Sequence, residues 1–361
     1  MAKEQSCNQK YTNYQDEEME FFSADKKKIL ILKFGALGDI VRTTPILLGI
    51  KKKYPSTIIY WLTKESSKEL LQNNPLIDKI LVYNLDNVLR LKFEKFDILF
   101  SLEIDPPSTI LAKIVKAKEK YGYYFSEDGA TKTFNEGAKE YLDLACNDEL
   151  KKSNKKSYQE LIFQASNLKY ENEPYVLSLS EKEYAYANQF KLENKINDED
   201  NLIGINISCG ERWMSKLWSE KKLKELIRAL AKTKTKIILL GGPNESDKIK
   251  KIKEEFEKEG ILILTNNPSN TLKEFISIIN LCKIIITTDS LALHLALALK
   301  KNTIALFFST PKNEIKDENF LKKIQSPLYE KYFFSKTYSE ELANSISVEQ
   351  VLEKIKSFEN E

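Results

Sequence analysis

Two separate stretches of this chain alternate short apolar runs with helical spacing, and no other feature restricts its fold so strongly. In the first, apolar runs at 29–32, 57–62, 79–82 and 97–101 are separated by helical patterns such as 66–73 and 108–115. In the second, runs at 202–207, 236–240, 261–264, 283–287 and 303–307 alternate with helical patterns at 220–233, 245–259, 271–280 and 290–298. Short apolar strands, each followed by a helix, build parallel sheets, because a parallel neighbour is reached only through a crossover that covers the sheet. The expected class is α/β, with doubly wound, Rossmann-like parallel sheets.

A polar, mainly helical stretch at 153–200 joins the two alternations, and the domain boundary is expected near 180. Residues 26–180 then form the first domain and 181–335 the second. Residues 1–25 read as an acidic polar tail. The segment 336–361 carries a last amphipathic helix at 348–358, expected to pack back toward the first domain. A length of 361 residues suits two domains, each able to bury its own core.

Composition narrows the class. With 42% hydrophobic and 30% charged residues the chain is globular in character. No apolar run approaches the ~20 residues of a bilayer-spanning helix. The polar start lacks the apolar region of a signal peptide, so a cytoplasmic location is expected. Cys7, Cys146, Cys209 and Cys282 are far apart, without metal or redox spacings, and are expected to be reduced and mostly buried, with no disulfide and no metal. The net charge of +3, from 56 basic and 53 acidic residues, is too balanced for a dedicated nucleic-acid binder. Six acids in the first 25 residues, against Lys3 and Lys10, leave the body more basic than the total. Such a body suits anionic substrates and a weak peripheral association with an anionic inner-membrane face, where each lysine contributes about 1 kcal/mol.

In an open parallel sheet the ligand sits beyond the carboxyl ends of the strands, so the residues just after each apolar run are the informative ones. Four loops stand out. The first, 33–39, holds Gly35 and Gly38, which permit a tight turn, and Asp39 near a helix start. Asp39 reads either as a helix cap or as a cleft carboxylate. No acid ends the run 57–62, which disfavours a nicotinamide cofactor. The second, 208–218, carries Ser208, Gly210, Arg212 and Lys216 before a helix. It reads as a diphosphate-wrapping loop or as solvated cations flanked by packed tryptophans. The third, 241–245, ends in Glu245, which either accepts from a ribose diol or serves the next helix N-terminus. The fourth places Asp289 and Ser290 at a helix start and His294, the sole histidine, about one turn on. Lone histidines are usually structural, and only this position favours the site.

Together, in this order, the four loops resemble the family nine glycosyltransferases, the ADP-heptose transferases of lipopolysaccharide core assembly. The likeness runs over most of 28–308. It rests on Gly38-Asp39 with Thr43-Thr44-Pro45, on Lys216-Leu217-Trp218, on Gly241-Gly242-Pro243-Asn244-Glu245, and on Asp289-Ser290 followed by His294. The resemblance implies a GT-B architecture of two facing domains, the first holding the acceptor and the second the nucleotide sugar. It also implies metal-independent inversion by direct displacement, with an ADP-sugar as co-substrate and no cofactor. By residue it implies that Asp39 is the general base, with Gly35, Gly38 and Arg42 on the acceptor side. Lys216 neutralises the departing diphosphate, assisted by Arg212. Asp289, Ser290 and His294 line the donor phosphates and sugar, Glu245 holds the nucleoside, and Ser208 and Gly210 are donor-loop contacts. The chain departs from the family at Leu291 and Phe308, where glycine is usual, and at Tyr329, Tyr332 and Phe333, where many relatives carry cysteines. Transfer of another sugar, a protein or capsule acceptor, and a sugar-nucleotide binding protein without catalysis therefore remain open at this point.

Overall fold

The computed structural model describes residues 26–359, so the acidic segment 1–25 lies outside it. The first sheet comprises β1 (Lys27–Leu32), β2 (Thr57–Thr63), β3 (Lys79–Val82), β4 (Lys95–Ser101), β5 (Lys116–Phe125) and β6 (Thr131–Thr133), in the order β3-β2-β1-β4-β5-β6. β1 to β5 are parallel and β6 runs antiparallel to β5. The second sheet comprises β7 (Asn201–Asn206), β8 (Thr235–Leu240), β9 (Ile263–Thr265), β10 (Ile284–Thr288), β11 (Asn302–Phe307) and β12 (Leu321–Gln325), in the order β12-β11-β10-β7-β8-β9, all parallel. This is the expected α/β, GT-B arrangement. In each sheet the winding reverses between two central strands, β1 and β4 or β7 and β10. A crevice opens beyond their carboxyl ends because the following loops diverge to opposite faces.

The central strands are apolar because both faces are covered. All seven residues of β2 are buried, as are the last four of β1. β5 was not legible as a strand, since its first half alternates lysines and glutamate at a sparsely covered edge, and only Gly122 and Tyr123 are buried. The terminal helix Val348–Glu359 corrects an expectation. Its stripe of Val348, Val351 and Ile355 packs against helix Glu220–Leu230 and strands β11 and β12, not back toward the first domain. That face of the second sheet presents Ile304 and Ile324, helix Glu220–Leu230 adds Leu223 and Leu226 beside them, and together they need an apolar cover.

The domains face each other in contact. Helix Leu37–Thr43 of the first packs on helix Leu291–Ala298 of the second. The latter is apolar all round because it is buried on both sides. Ala292, Leu295 and Ala296 join Ile40 and Val41 in one cluster, while Leu293 and Leu297 turn to another with Ala305 and Phe307. At the rim, Glu69 accepts from the backbone N–H groups of Leu272 and Lys273 at 3.2 and 3.0 Å, tying the first domain to the N-terminus of helix Leu272–Leu281. Among the described residues no helix is long and apolar enough to cross a membrane. Of the thiols within them, Cys282 is buried, Cys209 is intermediate and Cys146 is exposed, so burial is less general than expected.

Candidate active site

The front half of the site begins where β1 ends. Lys33 is 2% exposed, and its Nζ lies 3.1 Å from Glu103 Oε2 while donating to the Leu102 carbonyl at 3.2 Å. The same Glu103 oxygen accepts from the backbone N–H of Gly35 at 2.6 Å and of Phe34 at 3.1 Å. Glu103 follows β4, so the two loops at the winding reversal are tied together by one carboxylate. Burial disfavours a charged lysine, but Glu103 and the groups around it raise its pKa well above the ordinary value. A side chain at Gly35 would place its Cβ 3.0 Å from that carboxylate oxygen and 3.1 Å from the Cβ of Asp39, a crowding that glycine avoids.

Asp39 lies in the first turn of helix Leu37–Thr43, yet the helix is not capped by it. Ala36 is the N-cap residue and no side chain closes that end. The Asp39 carboxylate instead sits 2.8 Å from Arg42 Nη2, one turn on. Arg42 donates through Nη1 to Glu314 of the second domain at 3.1 Å and lies 3.8 Å over the ring of Tyr158, whose hydroxyl shares a 2.8 Å hydrogen bond with Thr43. Burial alone would raise the Asp39 pKa. Arg42, then Lys33, outweigh it and hold the carboxyl below its ordinary value, so the group stands ionised and able to accept a proton.

The back half is built on the loops after β7 and β10. Lys216 Nζ lies 2.7 Å from Asp289 Oδ2 and 3.1 Å from the Asp289 carbonyl, and Thr310 donates to the same carboxylate oxygen at 2.7 Å. Burial opposes the charge on Asp289, but Lys216, His294 and these hydrogen bonds hold its carboxyl far below the usual range. His294 is 5% exposed. Burial, reinforced by Arg42, pushes its pKa down to about 4 against the pull of Asp289 and Asp39, so the imidazole is neutral at neutral pH. Among the described residues its Nδ1 has no hydrogen-bond partner. A Cβ on Gly38 would lie 2.6 Å from His294 Cδ2. His294 is thus where the half-sites meet, feeling Asp39 and Arg42 from one domain and Asp289 and Lys216 from the other.

Beside this junction lies a cavity of about 390 Å³, lined by Ser208, Gly242, Glu245, Asn266, Phe275 and Ser290, with Leu37 contributed by the first domain. Its size is that of small-molecule pockets. Glu245 accepts from Ser208 Oγ at 2.8 Å and from the Gly242 N–H at 3.0 Å, which joins the second and third loops. Gly210 turns with φ +74, a conformation that favours glycine. Ser290 is the N-cap of helix Leu291–Ala298 without capping it, and its hydroxyl accepts from Asn206 at 3.2 Å. Arg212 is exposed, 6.0 Å from the Trp213 ring, and outside the Lys216–Asp289 pair. A more open cavity of about 730 Å³ lies on the first domain around Glu140 and Gln164, and none of the four loops reaches it. No group of three or more His, Cys, Asp or Glu among the described residues is arranged to hold a metal ion.

Sequence reading missed Glu103, Tyr158, Thr310 and Glu314. Glu103 was the most accessible of these, since it follows the strand that pairs β1 across the winding reversal. Thr310 lies three residues beyond β11, in a loop outside the four read as informative, while Tyr158 and Glu314 meet the site only through contacts distant in sequence.

A family model described as Glycosyltransferase family 9 (heptosyltransferase) matches residues 88–342, a span that holds all of the second sheet while the Asp39 loop lies upstream of it. Lipopolysaccharide heptosyltransferase 1 of Campylobacter coli is 27% identical over 304 residues, covering 79% of this chain and 84% of its own. Among solved structures, the family 9 glycosyl transferase of Veillonella parvula superposes with a TM-score of 0.73 at 20% identity, over 92% of this chain and 97% of its own. The Escherichia coli ADP-heptose lps heptosyltransferase II gives 0.67 at 18% identity, over 91% and 98%. These structures share the fold, and the family model, spanning well over half of the sequence, decides the family. The chain belongs to glycosyltransferase family 9 and is a glycosyltransferase.

Proposed function

We propose that this enzyme moves a heptose from ADP-heptose onto the lipopolysaccharide core, with inversion at the anomeric carbon and without a metal. The carrying observation is the opposition of an ionised carboxylate, Asp39, to the Lys216–Asp289–Thr310 group across a contact centred on His294. In the reaction the acceptor hydroxyl oxygen forms a bond to the anomeric carbon as the bond from that carbon to the diphosphate oxygen breaks. Asp39 takes the hydroxyl proton, and the negative charge leaves on ADP. Attack from the face opposite the leaving group inverts the centre.

Charge develops at both ends of this displacement, and each end has its own stabiliser. The lysine ammonium and the N-terminus of helix Leu291–Ala298 receive the diphosphate. Arg42, held by Glu314 and Tyr158, keeps Asp39 ionised until the attacking oxygen becomes acidic. The cavity of about 390 Å³ takes the nucleoside, with Glu245 facing its ribose. The names of the C. coli and E. coli relatives support the heptose donor and the lipopolysaccharide acceptor.

Leu291, which lines this cavity where the family usually has glycine, favours keeping a second reading, in which the same site takes another nucleotide sugar. The test is a panel of ADP-, GDP- and UDP-sugars with lipopolysaccharide core lacking its heptoses, with and without chelator, the product configuration read by NMR. Heptose transfer from the ADP-sugar alone, inverted and indifferent to chelator, is expected. Transfer from UDP- or GDP-sugars only would replace the donor assignment, and loss of activity with chelator would refute metal independence.

A further inference from the structure

Among the described residues, six of the twelve exposed large hydrophobic side chains, Tyr83, Leu85, Leu89, Phe93, Ile110 and Ile114, fall on or beside two neighbouring helices of the first domain. Helices Leu85–Phe93 and Pro106–Ile114 belong to the crossovers β3 to β4 and β4 to β5, which run in one direction along the sheet order and so lie on one face of it. Their inward residues Val88, Leu91, Leu111 and Ala112 pack on the core beneath. Their outward residues repeat at the spacing of one helical turn, with Leu85 at 71% and Phe93 at 73% exposure. The two stripes adjoin, since Lys116, two residues past Ile114, places its Nζ 5.9 Å from the Phe93 ring.

The exposed charge around this patch is mainly positive. Lys92, Lys95, Lys113 and Lys116 are exposed and pair with no carboxylate among the described residues. The two helices carry a single acid, Asp86, at the end nearest the cleft. An apolar stripe rimmed by unpaired lysines suits a surface that is apolar within and anionic at its face. Two soluble copies placing these lysines together would instead repel. Helix Pro106–Ile114 begins three residues beyond Glu103, which holds the Gly35 loop, so the patch lies on the domain that carries Asp39.

We propose that this face docks the first domain on an anionic lipid bilayer, with Leu85, Leu89, Phe93, Ile110 and Ile114 entering the headgroup region and the lysines meeting lipid phosphates. The inference deepens the glycolipid-acceptor reading and rests on it for its purpose, while the docking itself is measurable without any transfer.

The test is flotation of the full chain with vesicles of phosphatidylcholine, alone or mixed with phosphatidylglycerol. Wild type is expected to float with the anionic vesicles and to be only partly released by salt. The variant L89E/F93E is expected to lower the bound fraction by about tenfold, because binding of this kind scales with inserted apolar area. Both positions are solvent-facing, so its melting temperature and its turnover of a delipidated, water-soluble acceptor should match wild type. Equal flotation of variant and wild type would overturn the surface, and so would a wild-type dimer that the variant dissociates. Intact flotation with no transfer to any acceptor would support the surface and count against the enzymatic reading alone.

Discussion

Replacing Gly38 by alanine tests whether the contact between the domains is the working geometry. An added Cβ would sit 2.6 Å from His294 Cδ2, about 0.8 Å inside the 3.4 Å at which ordinary contact begins. The obstacle is a buried ring on a packed helix of the other domain, so relief comes chiefly by parting the helices. A displacement near 1 Å between reacting groups costs about 10²-fold in rate, and kcat/KM should fall by that order. Within its own domain the change is benign, since Gly to Ala inside a helix stabilises by up to about 1 kcal/mol. Gly49→Ala is the matched control. Its Cβ would meet Phe163 Cε1 at 2.5 Å, but inside the core of the first domain, where overpacking costs about 1–3 kcal/mol. Steady-state transfer and thermal melts on both variants separate the effects. Gly38→Ala should lose activity and keep its melting temperature, and Gly49→Ala should lose melting temperature first. A Gly38→Ala enzyme with wild-type kcat/KM, or one destabilised like Gly49→Ala, would refute the reasoning.

Other expectations follow from the same contacts. Lys216→Ala removes the ion pair to Asp289 and, on the proposed mechanism, the cation that would meet the diphosphate; a fall of about 10²–10³ in kcat/KM with weakened ADP binding is expected from kinetics and calorimetry. Glu245→Ala should raise the ADP Kd about tenfold, the effect of one lost hydrogen bond to a charged group, with little change in kcat at saturating donor. Because the His294 pKa lies near 4 when folded against 6.5 ordinarily, the unfolded chain binds a proton between these values that the folded chain refuses. Stability should therefore fall as pH drops through that window, by on the order of 3 kcal/mol at its foot, and His294→Gln should flatten this part of a denaturant-derived profile.

What could be read in the sequence was whatever is local in the chain. Each apolar run followed by a turn and a helix announced a strand of a parallel sheet, and the residues after β1, β7, β8 and β10 were marked by glycines, charges and helix starts close together. What could not be read depends on contacts between distant segments. Arg42 and Glu314 are 272 positions apart, and nothing near either signals their pairing across the cleft. Glu103 stands alone between apolar residues, and its role emerges only when β4 is seen beside β1. The choice between capping and cleft for Asp39 was likewise nonlocal, since the alternative partner for its carboxylate gains its position from Tyr158 and the second domain. The last helix shows the same limit: its apolar stripe was evident, but which of two sheets lacked a cover was not.

The central claim is that Asp39 performs the chemistry while the opposite domain holds the donor. Asp39→Asn preserves shape and removes the proton acceptor. Calorimetric binding of ADP-heptose should remain at the wild-type affinity, while heptose transfer falls by about 10²–10⁴-fold, the usual contribution of a positioned base. Wild-type turnover by this variant, or loss of donor binding in step with turnover, would contradict the account.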